Sequence, residues 1–154
     1  MEPKRLHWAV VEGAAEAPIL VGHDKANPPV HESEPESLTF YRERLSFLIE
    51  KYEVAVVGIR YQETHGRHGK LDGICRRSRI EGVLVEGANA VRIPVVPGMM
   101  VQLSAALGVK TAKADLERGE LRGLDLSSLT PERREAVLAA VAAMATHGER
   151  TEQR

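Results

Sequence analysis

Between Glu53 and Ile59 the chain reads EVAVVGI, an apolar run rich in β-branched residues and without polar alternation. A strand of that kind has no face to offer water, so it has to lie inside a sheet covered on both faces. Such a strand requires helices above and below it, and the flanking sequence supplies them. Ser37–Tyr52 sets Leu38, Tyr41, Leu45, Leu48 and Ile49 on one helical face, with Ser37 or Thr39 as the cap. Ile74–Ala90 reads as a second helix with Ile80, Val83, Leu84 and Gly87 turned inward. Val91–Val96 then reads as a short strand, and Pro94 favours an edge position or the strand end.

The remaining segments fill out the same architecture. Leu6–Val11 reads as a buried strand containing Trp8, and Ile19–Val21 forms a hairpin with it. The polar, proline-containing stretch that follows reads as a surface loop with room for a short edge strand. PGMMVQLSAALG is a helix closed by Gly108, and Ala112–Arg118 is a short helix or turn. Thr130 caps the last helix and Pro131 occupies its first position. The order predicts an α/β fold with a mixed central sheet, its later strands parallel, and helices on both faces. Residues 1–146 are expected to form one domain and residues 147–154 a disordered polar tail.

Charge narrows the function classes. The formal net charge is −1 over 154 residues, so no overall field draws the chain onto nucleic acid and any such binding needs a local basic patch. Cys75 is the only cysteine, which excludes an intrachain disulfide and fits a reducing, cytoplasmic setting. No apolar run approaches the roughly 18 residues a membrane span needs, and the N-terminus lacks a signal-peptide core. Neither a membrane nor a secretory role is expected.

The local basic patch exists. Arg60, His65, Arg67, His68, Lys70, Arg76, Arg77 and Arg79 cluster in a glycine-containing loop and the start of the next helix, and Lys110 and Lys113 form a smaller group. Lys and Arg on phosphates supply sequence-independent affinity, so Arg67, His68, Lys70, Arg76, Arg77, Arg79, Lys110 and Lys113 are candidate nucleic-acid contacts. Two other readings fit the same residues: an acidic protein partner, or a solvated helix face balanced by Asp72 and Glu81. His65 and His68 with Cys75 do not make a zinc set, because a defined fourth ligand is missing. GRHGK lacks the spacing of a phosphate-binding P-loop.

The segment RRSRIEGVLVEGANAVRIPVVPGMMVQLSAALG (Arg76 to Gly108), followed by TAKADLERG and LTPERREAVLAAVAA, resembles the RuvC-type Holliday-junction resolvases of the RNase H-like superfamily. The resemblance rests on the order and spacing of elements over roughly residues 5–145. It implies a nucleic-acid partner, DNA rather than RNA, and a homodimer or larger complex. It also implies carboxylates on the first strand, the fourth strand and the last helix holding two Mg²⁺ ions. Glu12 falls at the first station, and Glu132 and Glu135 fall at the last. The middle station falls on Val57 or Gly58, neither of which binds a cation, while Glu63 lies farther along. The resemblance therefore implies a degenerate active site that needs no cofactor. The alternatives are an active Mg²⁺-dependent endonuclease using Glu12, Glu132 and Glu135, and a scaffold that meets no nucleic acid.

Overall fold

The computed structural model describes residues 5–30, 32–63 and 71–154. Two strands come first, β1 (Leu6–Ala14) and β2 (Ala17–Ala26). Then follow α1 (Glu34–Tyr52), β3 (Val57–Arg60), α2 (Leu71–Ala90), β4 (Val95–Gly98) and α3 (Met100–Ala106). α4 (Lys113–Arg118), β5 (Glu120–Leu121), β6 (Leu124–Asp125) and α5 (Pro131–Glu152) complete the chain.

β1 and β2 form an antiparallel hairpin, irregular between Val10 and Val11. Both strands are longer than their apolar centres suggest, because backbone pairing carries on through polar positions such as Glu12 and Asp24. No strand forms between residues 27 and 30 or at 32–33, so the expected edge strand is absent among the described residues.

α1 begins three residues before the predicted cap. The Ser33 side chain accepts from the Glu36 N–H, and the Glu36 carboxylate accepts from the Ser33 N–H at 2.7 Å, a reciprocal capping box. Ser37 and Thr39 therefore lie inside the helix. Those bonds hold the Glu36 carboxyl below its usual range, the Ser33 backbone bond contributing most. A depressed carboxylate stabilises the fold above its unfolded pKa, and that contribution is lost as pH falls through the folded value. Ser33→Ala is expected to cost about 1 kcal/mol in urea unfolding at neutral pH. The penalty should shrink in acid, where Glu36 is protonated.

The apolar run forms a shorter strand than expected. Only Val57–Arg60 pairs, in parallel with Val95–Gly98, while Val54 and Val56 remain half-buried in the approach. β4 starts four residues after the predicted start because Arg92 takes a left-handed turn (φ 61°), closed by Ile93 N–H donating to Ala88 C=O. Pro97, which has no N–H, sits within β4.

Helices cover β3 on both sides. Tyr41 of α1 and Leu84 of α2 pack with Ile59 on one face, and α5 lies on the other. The largest core joins α3, α4 and α5 with β1, where Leu103, Leu126, Val137, Leu138 and Val141 are fully buried. Among the described residues, however, the sheet layer is divided into three two-stranded ladders, β1–β2, β3–β4 and β5–β6, rather than one continuous central sheet.

Two more findings depart from expectation. The β5–β6 hairpin was not anticipated; it is entered through Gly119 (φ 80°), where a Cβ would stand 2.9 Å from Ser127 Cα. And α5 continues to Glu152, through most of the stretch expected to be a disordered tail.

Candidate functional site

Alternation along β3 decides what gathers at its C-terminal end. Val57 and Ile59 face α1 and α2 and join their apolar cluster. Gly58 and Arg60 face the opposite way, toward α5. A Cβ at Gly58 would stand 2.0 Å from Ala139 C=O, so β3 lies directly against the α5 backbone there. Two residues on, Arg60 reaches along α5 to its first turns.

The Arg60 side chain is only 14% exposed and stands between two acids, Glu63 at 3.2 Å and Glu135 at 3.5 Å. Its Nε is near enough to Glu135 for charge pairing but is not aimed at a hydrogen-bond acceptor. Arg60 also donates to Tyr61 C=O. Glu63 in turn accepts from the Met100 N–H at 3.1 Å, which ties the group to the start of α3.

A second pair completes the cluster. Arg77 of α2 pairs with Glu81 at 3.0 Å and donates to Arg60 C=O at 3.3 Å. Glu81 also accepts from the Gln62 N–H at 2.9 Å, and the Gln62 amide donates to Ser78 and to Ile74 C=O. Three acids and two guanidiniums thus interlock at the carboxyl end of a parallel strand, the place where open α/β folds bind ligands. Every charge in the group already faces an opposite charge.

The candidate carboxylates are not all brought together. Glu135 is in the cluster and Glu132 is exposed on the same first turns of α5. Glu12 is elsewhere. Asp24 of β2, paired opposite Trp8, meets Arg133 at 3.4 Å, so the start of β1 lies at the α5 N-terminus. Glu12 is five residues beyond His7 on that strand and opposite Ile19, which sets it roughly 16 Å from that end. Burial pushes the His7 ring below its ordinary pKa; Arg133, Arg5 and Lys25 add to this and Glu132 opposes it. Among the described residues no three His, Cys, Asp or Glu side chains are grouped as a metal site would require.

The β3 side chain beside the α5 carboxylate is Arg60, not Val57 or Gly58. The strand's period of two carries the signal: once Gly58 faces α5, Arg60 must too.

Of the candidate nucleic-acid contacts, Arg67, His68 and Lys70 lie outside the described residues, as does His65. Arg76 is exposed on α2 and pairs with no acid among the described residues. Arg77 is turned inward as above, and Arg79 pairs with Glu34 of α1 at 3.1 Å. Lys110 is exposed, and Lys113 stands 3.8 Å from Glu117. α2 packs on α1, whereas α4 packs on α5, so the two basic groups belong to different layers. Cys75 is half-buried and free.

No helix among the described residues is long and apolar enough to cross a membrane. No protein-family model and no curated protein sequence matches the chain. Solved structures do. The chain is similar to Thermus thermophilus RuvC in complex with a Holliday junction substrate, with a TM-score of 0.72 at 14% identity, covering 95% of this chain and 90% of that one. It is similar to a second Thermus thermophilus RuvC structure with a TM-score of 0.70 at 16% identity, covering 96% and 90%. The fold is therefore the RNase H-like α/β fold of those proteins.

Proposed function

We propose that this protein is a RuvC-like nucleic-acid-binding protein whose acidic site is catalytically degenerate. The observation that carries the proposal is Arg60. A guanidinium stands where a two-metal site would need a carboxylate, and it is ion-paired to Glu135 and Glu63. Two divalent cations require several hard oxygen donors facing one point. Here the donors face a fixed positive charge, and Glu12 lies toward the other end of β1. The residues present do not fit two Mg²⁺ ions, so no cleavage step is derived. The partner under this reading is branched or duplex DNA in preference to RNA, bound by a homodimer or within a larger complex. Exposed Arg76 and Lys110, with the basic loop, supply the phosphate contacts.

One observation favours a second reading, a scaffold without nucleic acid. Arg77 and Arg79 are each committed to an acid of this chain, which lowers the free positive charge on α2.

Binding to fluorescent four-way junctions, duplex, single strands and structured RNA separates these readings. It is run at two salt concentrations, with Mg²⁺, Mn²⁺ or chelator. The proposal expects salt-sensitive binding and no products under any condition. Arg76→Ala should weaken binding and lower the salt slope by about one. Metal-dependent products would revive the endonuclease and overturn the degenerate site. No binding to any nucleic acid would leave the scaffold.

A further inference from the structure

The division of the sheet layer leaves an open space between its two main parts. Among the described residues β1 pairs only with β2, and β3 only with β4. Over nearly all their length the Cα traces of β1 and β3 stay more than 8 Å apart. Adjacent paired strands lie about 4.8 Å apart, so strands separated by one missing neighbour lie about 9.6 Å apart. A groove of about 1560 Å³ runs along both strands, larger than the usual small-molecule pocket. No residue of β2 or β4 lines it, so it is bounded by the outer, unpaired edges of β1 and β3.

Its walls are those of a sheet interior. Ala136, Ala139 and Ala140 of α5 form one side, and Leu45 and Ile49 of α1 with Ile80 of α2 form the other. Asp24, paired opposite Trp8 at the start of β1, meets Arg133 of α5 at 3.4 Å, and Arg60 at the end of β3 meets Glu135 at 3.5 Å, so the two strands run in opposite directions. A strand between them pairs with one in parallel and with the other antiparallel. At the far end Glu53, Glu149 and Glu152 line the groove with His147, which makes that end acidic.

From this geometry we infer that the groove is a receptor slot for one β-strand donated by another polypeptide. Open N–H and C=O groups on two facing edges bind an extended backbone and nothing else as completely. Because helices cover both faces, the donated strand is apolar on both faces rather than alternating. Because one end is acidic, it carries lysine or arginine there. The inference rests on the fold and is independent of nucleic-acid binding.

The test uses two synthetic probes of alternating valine and isoleucine, nine residues to match β1, each closed by two lysines at one terminus or the other. Binding is read by fluorescence anisotropy, and slot occupancy by amide hydrogen exchange along β1 and β3. One probe is expected to bind at micromolar concentration and to protect alternate amides of both strands. N-methylation of alternate probe residues should weaken it at least tenfold, because the edge bonds are then lost. Ala140→Arg, checked for folding by circular dichroism, should block it. Failure of both probes to bind would overturn the inference. So would equal binding of the N-methylated probe, which would mean apolar adhesion. Edge amides already protected in the isolated protein would also overturn it, whether the slot is closed in the monomer or filled by a second copy.

Discussion

Gly58→Val is expected to destabilise the protein by about 3 kcal/mol or more, among the larger effects of any single substitution in the sheet layer. The cause is contact with backbone. The first atom of any side chain at position 58 would stand 2.0 Å from Ala139 O and 2.5 Å from Ala139 C. A neighbouring side chain could swing away, but a carbonyl in the middle of α5 cannot, because it is bound within the helix. Either β3 or α5 must move. That movement disturbs the Arg60–Glu135 pairing two residues on, and also the Val57 packing against Tyr41 and Leu84. Gly58→Ala already places the offending Cβ and should show most of the loss. Urea unfolding of wild type and both variants measures it, with a lower midpoint at unchanged slope. A loss under about 1 kcal/mol for the valine variant would show that the α5–β3 approach is looser than described.

Gly58 also shows how far the sequence could be read. The unbroken apolar run announced a strand covered on both faces, and helices do cover β3 on both faces. What the run could not announce is that pairing begins only at Val57 and occurs along one edge, since edge pairing depends on which strands arrive alongside. The helices were legible because amphipathic spacing survives in the sequence. Their ends were less so: Ser33, Ser37 and Thr39 are all chemically able to cap α1, and only Ser33 has Glu36 three residues on to close the box. The β4 start slipped because Arg92 adopts a positive φ that its residue type does not advertise.

The candidate site was legible in parts. Glu132 and Glu135 were both read on the first turn of α5, where only Glu132 stands, while Arg60 was taken as one member of a basic loop. Ion pairing is a long-range property, and nothing local in RYQE says that Arg60 will meet an acid seventy-five residues away. The same holds for Arg79 and Glu34. A count of arginines in the sequence therefore overstates the charge left for a partner.

Arg134 carries this point to its largest consequence. Placed four residues past the Thr130 cap, it resembles the exposed cations common on helix surfaces. Its guanidinium instead donates to Leu126 and Leu129 C=O through Nε at 3.0 and 2.9 Å, to Leu116 C=O at 2.7 Å, and to Ser127 C=O at 3.2 Å. These carbonyls belong to the end of α4 and to the loop that leads into α5, where Leu116, Leu126 and Leu129 side chains are buried. The fork thus holds α4 and that loop against the first turns of α5, which also carry Glu132 and Glu135. Hydrogen bonds from a charged donor contribute about 1.5–3 kcal/mol each, and carbonyls left without a donor cost more than the bond alone. Arg134→Ala is expected to lose about 3 kcal/mol overall, partly offset where water reaches the freed groups. Lysine should not restore it, because one ammonium cannot span four carbonyls in a planar fork. Arg118→Ala is the matched control: its side chain is 64% exposed and among the described residues pairs only with Asp115, so its loss should stay within about 0.5 kcal/mol. Urea unfolding of the three variants decides the matter. Equal small losses for Arg134→Ala and Arg118→Ala would mean that the carbonyls are satisfied by solvent, and that α5 is held by its apolar face alone.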